Sequence, residues 1–119
     1  MIPIARPLLG EEEFAAVKEV LESGHLAQGP RVKAFEDAFA AYLGRKHAIA
    51  TSNGTTALHI ALLAHGVHAG QEVLIPPLTF FATASTVLMC GTKPVFVDVD
   101  RASYNMDPTK VANAITRKT

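Results

Sequence analysis

Ser52-Asn53-Gly54-Thr55-Thr56 groups four hydrogen-bonding side chains around one glycine. The residues before it, Ala48-Ile49-Ala50, read as a short buried strand, and Thr55 to Ala64 reads as an apolar-rich helix. Serine, asparagine and glycine suit a tight turn whose side chains cap the helix that follows. The first N–H groups of a helix have no partner inside it. They point the same way, and the helix dipole adds positive potential there. A strand–turn–helix of this kind is a natural seat for an anion, most often phosphate. The hydroxyls of Thr55 and Thr56 add possible donors. The stretch lacks the Gly-Lys-Ser/Thr ending of a Walker loop and the G-x-G-x-x-G spacing of a dinucleotide site. A plain strand-to-helix connection, with glycine relieving strain, is the alternative reading.

Other reactive side chains are sparse. Asp98 and Asp100 fall just past an expected strand and read as loop-capping residues. Cys90 is the single cysteine and lies in an apolar segment, which favours packing over reactivity. His25, His47, His59, His65 and His68 show no metal-ligand spacing. His59 follows the 52–56 turn by about one helical turn, and a packing or surface role is expected for it. The loop Gly24 to Pro30 has two glycines and is either a connector or a segment that reaches a ligand.

These groups need elements to hold them. Residues 1–10, with Pro3, Pro7 and Gly10, read as an extended arm. Glu11 to Ser23 is an expected helix, with three glutamates at its positive end and Phe14, Val17, Val20 and Leu21 on one face. Arg31 to Leu43 is a second amphipathic helix. Glu72 to Pro76 and Pro94 to Asp98 are short apolar strands of the kind found in covered parallel sheets. Between them, Thr79 is the expected N-cap of a helix from about Phe80 to Cys90. Asp107-Pro108 opens a last helix that runs toward Arg117. After residue 44 the expected order is strand, helix, strand, helix, strand, helix, which implies a parallel sheet with right-handed crossovers. Ligands in such sheets sit beyond the carboxyl ends of the strands. The turn at 52–56, segment 77–81 and Asp98–Asp100 all follow strands.

Composition narrows the function classes. Of 119 residues, 49% are hydrophobic and 7% aromatic, which suits an α/β core and argues against disorder. The formal net charge is zero with acids and bases mixed, so nothing favours nucleic acid or an anionic membrane as partner. The apolar run from Phe80 to Cys90 is too short to span a bilayer. No signal-peptide pattern is visible, and a cytoplasmic location is expected.

In order along the chain stand Gln28-Gly29-Pro30, Phe35-Glu36, Ser52 to His59, Gly70 to Pro76, Thr79 to Ala84, and Pro94 to Asp100. This ordered set resembles the DegT/DnrJ/EryC1/StrS aminotransferases, from about residue 3 to 119. The resemblance implies an α/β fold, part of the large domain of the aspartate-aminotransferase-like (fold type I) transferases, with a mostly parallel sheet and helices on both faces. It implies residues 1–45 as an arm with two helices and 46–119 as the first half of the cofactor domain, together one incomplete domain. It also implies pyridoxal 5'-phosphate as cofactor. By the resemblance, Thr55, Thr56 and Gly54 hold the cofactor phosphate through backbone N–H groups, and Phe80 stacks on the pyridine ring. Such stacking is favourable by about 0.5–1.5 kcal/mol beyond area burial. Phe81, its neighbour, is expected in the core.

The resemblance further implies transfer of an amino group from a donor such as glutamate to a nucleotide-linked keto sugar, in a homodimer or higher homo-oligomer. The family's cofactor-binding lysine and the carboxylate that pairs with the ring nitrogen fall beyond the matched stretch. None of Lys18, Lys33, Lys46, Lys93, Lys110 or Lys118 matches that lysine. The chain is therefore expected to be an N-terminal portion, with no catalytic residue of its own and no activity alone. Two other readings stay open: a pyridoxal-phosphate-dependent sugar dehydratase of the same family, and a non-catalytic phosphate-ligand or assembly module.

Overall fold

Three consecutive glutamates start the first helix, α1 (Glu11–Ser23), where their charge complements the helix dipole. Glu13 reaches back to accept from the Gly10 N–H at 2.6 Å, and that bond holds its carboxyl below the usual range. Gly24, at φ 73°, ends the helix in the left-handed conformation that glycine adopts without penalty. A computed structural model describes residues 2–119 of the protein. They divide into two units, Met1–Ala50 and Thr51–Thr119.

In the first unit, residues 2–10 are exposed and carry no regular structure, as expected of an arm. The second helix, α2 (Pro30–Tyr42), takes Pro30 at its first turn, one residue earlier than expected. Arg31 pairs with Glu19 of α1. Phe35 and Phe39 stack with ring centroids 5.6 Å apart. Ala40 is the buried apolar residue of this unit. The strand expected over Ala48-Ile49-Ala50 does not form, and Ile49 is 79% exposed rather than buried. A strand needs a ladder partner for its backbone groups. Here the Ala50 N–H donates instead to the Glu36 carboxylate at 2.8 Å.

The second unit opens with α3 (Gly54–Ala64). Strands β1 (Glu72–Ile75) and β2 (Lys93–Phe96) pair in parallel, with Leu74 opposite Val95 and Ile75 opposite Phe96. The crossover between them is α4 (Ala82–Met89), which packs on both strands and on α3. Ile75, Ala82, Val87 and Val97 form the core there. Buried Thr86 and Thr92 donate their hydroxyls to the carbonyls of Ala82 and Val87, at 2.8 and 2.6 Å. No polar side-chain atom is left buried and unpaired among the described residues.

Four sequence expectations are corrected in this unit. Among the described residues the sheet has two strands, not three. Helix α4 begins at Ala82, and Thr79 is not its cap: its hydroxyl lies 2.9 Å from the Thr83 hydroxyl, while Phe81 occupies the N-cap. Phe81 is 76% exposed rather than in the core, because it sits in the turn ahead of the helix. The last helix, α5 (Pro108–Ala114), stops before Arg117. Its continuation is drawn to the start of β1, where the Glu72 N–H donates to the Lys118 carbonyl and the Thr116 hydroxyl to the Glu72 carboxylate, both at 2.8 Å.

Candidate functional site

The start of α3 is built by Asn53. Its backbone is extended (φ −168°, ψ 171°), and its side-chain Oδ1 accepts from the Thr56 N–H at 2.9 Å. This is the N-cap arrangement that asparagine favours. The Asn53 carbonyl then accepts from the Ala57 N–H at 3.1 Å. Two amides, those of Gly54 and Thr55, are left without a protein partner among the described residues. They stand at the positive end of an eleven-residue helix.

The same turn carries several hydroxyls. Ser52 Oγ and Thr56 Oγ1 lie 3.2 Å apart, and Thr56 Oγ1 is also 3.2 Å from Asn53 Oδ1. Thr51 Oγ1 donates to the Asn53 carbonyl at 3.0 Å, which steadies the turn. Ser52, Asn53 and Gly54 are exposed, while Thr55 and Thr56 are half-buried. A Cβ added at Gly54 would meet nothing within 4 Å, so the front of the helix is open. The structure thus gathers Gly54, Thr55 and Thr56 at one helix end, with the Thr56 amide already engaged by Asn53. The sequence gives this turn side chains that cap the helix, and the structure shows that Asn53 is the one that does so.

Phe80 belongs to a different segment of the same unit. It lies between the end of β1 and the start of α4, with its carbonyl accepting from the Thr83 N–H at 3.0 Å. The residue is 77% exposed, which leaves its ring accessible. Free amides for an anion and an uncovered ring are the two groups that a phosphorylated aromatic ligand would use. The residues present therefore fit such a group.

The aspartates after β2 serve the loop. Asp98 Oδ1 accepts from the Val99 N–H and its Oδ2 pairs with Lys110 at 3.0 Å. Asp100 Oδ1 accepts from the N–H groups of Ala102 and Ser103. These bonds, with Lys110 first at Asp98, hold both carboxyls below the usual range. Asp107 caps α5 by accepting from the Thr109 N–H at 2.9 Å. Cys90 is half-buried. No group of three or more metal-ligating side chains occurs among the described residues. In the first unit, a cleft of about 630 Å³ is lined by Ser23, His25, Leu26, Gly29 and Arg31. It takes in much of the Gly24–Pro30 loop but none of the residues just described.

Comparison with known proteins gives these features a setting. The model of the DegT/DnrJ/EryC1/StrS aminotransferase family matches residues 7–119. The spore coat polysaccharide biosynthesis protein SpsC of Bacillus subtilis (strain 168) is 48% identical over 118 residues, 99% of this chain and 30% of that protein. The PLP form of Spr1654 from Streptococcus pneumoniae superposes with a TM-score of 0.93 at 32% identity, over 99% of this chain and 30% of that one. NtdA from Bacillus subtilis, solved with bound cofactor PMP, gives 0.87 at 39% identity, over 92% of this chain and 25% of that one. The chain thus spans about a third or less of the length of these relatives. Its α/β architecture is part of the aspartate-aminotransferase-like fold. With the family model covering nearly all of its length, the chain belongs to the DegT/DnrJ/EryC1/StrS aminotransferase family.

Proposed function

We propose that this chain provides the phosphate-binding and ring-stacking part of a pyridoxal-phosphate-dependent aminotransferase. Its substrate is a nucleotide-linked keto sugar, and its amino donor is an amino acid such as glutamate. The observation that carries this reading is the pair of unpartnered amides, Gly54 and Thr55, at the open start of α3. The Thr55 and Thr56 hydroxyls would add donors to the phosphate, and the Thr56 amide would join them when Asn53 yields it. Phe80 would lie against the pyridine ring. The cofactor, when bound, supplies the electron sink for amino-group transfer. The residues of this chain bind and orient it. None of them moves a proton in the reaction, so the chain alone is inactive. A homodimer or higher homo-oligomer in the cytoplasm is the assembly this reading implies.

Isothermal titration of the full chain with pyridoxal phosphate, inorganic phosphate and a nucleotide tests this. The expected result is binding of pyridoxal phosphate that inorganic phosphate competes away, with no transaminase turnover. Preference for the nucleotide would replace this reading with that of a phosphate-ligand module.

A further inference from the structure

We propose that Asn53-Gly54 is a site of self-modification, at which the asparagine side chain is converted to a carboxylate. The chemistry is attack of the Gly54 backbone nitrogen on Cγ of Asn53. Three features of the turn favour it. The Gly54 N–H is committed to no protein acceptor among the described residues, and it lies at the positive end of α3, where loss of its proton is least costly. Oδ1 of Asn53, where negative charge develops, already accepts from the Thr56 N–H at 2.9 Å and lies 3.2 Å from the Thr56 hydroxyl. Among the described residues the leaving nitrogen, Nδ2, is held only by Ser52 Oγ at 3.3 Å, and both Asn53 and Gly54 are exposed. Glycine supplies the backbone freedom to close the ring, with open space where a Cβ would stand.

The step balances without an oxidant or a reductant. Hydroxide removes the Gly54 N–H proton, the new N–Cγ bond forms, and the Cγ–Nδ2 bond breaks as Nδ2 takes a proton from water, releasing ammonia and regenerating hydroxide. Water then opens the cyclic imide. Addition at Cγ gives aspartate with the backbone restored, and addition at the backbone carbonyl carbon gives isoaspartate with the chain rerouted through the side chain. Either product places a negative charge beside the amides of Gly54 and Thr55. If those amides hold a phosphate, the new charge opposes it; this consequence, unlike the modification itself, rests on the function proposed above.

Ageing the full chain at mildly alkaline pH, followed by peptide mapping and isoaspartate methyltransferase labelling, tests the modification. The peptide spanning Asn53 is expected to exchange NH2 for OH and to accept label, while Asn105 and Asn113, which precede Met106 and Ala114, stay intact. Gly54→Ala, which meets no neighbour within 4 Å, is expected to slow the change roughly tenfold while keeping the circular dichroism of the parent. An unmodified Asn53, or an unchanged rate in Gly54→Ala, overturns the proposal. Asn53→Asp separates the two claims: roughly tenfold weaker binding of inorganic phosphate is expected. Unchanged phosphate binding in that variant, with the modified peptide present, removes only the charge consequence. Failure of the parent chain to bind phosphate counts against the proposed function and leaves the peptide map to decide the chemistry.

Discussion

Asn53 caps α3, and Phe80 carries the proposed stacking on the cofactor ring. Asn53 bonds the Thr56 N–H, so its removal leaves a third orphan amide at the start of α3. Asn53→Ala is expected to lower unfolding stability by about 1 kcal/mol in chemical denaturation. Asn53→Asp should keep that stability, since aspartate caps as well as asparagine does. Phe80 is 77% exposed, so truncating it removes little packing. Phe80→Ala should leave the denaturation midpoint unchanged and weaken pyridoxal phosphate binding by about 0.5–1.5 kcal/mol, several-fold in affinity. A destabilised Phe80→Ala with unchanged affinity would assign that ring to packing instead.

At the scale of elements, the sheet and its crossover carry the second unit. Val87 of α4 is 1% exposed beneath the strands, and Val87→Ala should cost roughly 2 kcal/mol of stability. Glu72 anchors the segment after α5 to β1. The Thr116 hydroxyl first, then Lys93, holds its carboxyl below the usual range. A carboxyl lowered in the folded state stabilises above its unfolded pKa and loses that contribution as pH falls through the folded value. Protection of the Glu72 amide, whose N–H bonds the Lys118 carbonyl, taken relative to the intrinsic exchange rate at each pH, should therefore fall on acidification below the normal glutamate range, and Glu72→Gln should flatten that response. A pH-independent protection factor would show that the segment is held by its backbone alone.

Across the whole molecule, large apolar side chains stay uncovered. Phe14, Val17 and Leu21 on α1, Phe35 and Phe39 on α2, and Leu58, Ile60 and Leu63 on α3 are all exposed. Apolar surface of this extent marks a contact surface rather than a free one. The 119-residue chain should self-associate in size-exclusion chromatography, and the double variant Val17→Glu, Leu21→Lys should shift it toward the monomer. A monodisperse monomer at high concentration would contradict this. No helix of the described residues is long and apolar enough to cross a membrane.

Local residue chemistry was enough to place the helices and several of their ends. The glutamate run that opens α1, Gly24 after it and Asp107-Pro108 opening α5 each act within one turn of where they stand, whereas Pro30, read as the end of a loop, begins α2. The ordered motifs likewise pointed to the family before any coordinates. Pairing was another matter. Whether 48–50 becomes a strand depends on which acceptor its amide meets, and Glu36, fourteen residues away from Ala50, supplies it. Where α5 ends depends on Glu72, forty-four residues from Thr116. The exposure of Phe81 and the release of Thr79 from capping follow from the turn ahead of α4. Caps and turns are decided by neighbours in the chain, whereas ladders, helix ends under competition and side-chain burial are decided by residues that only folding brings together.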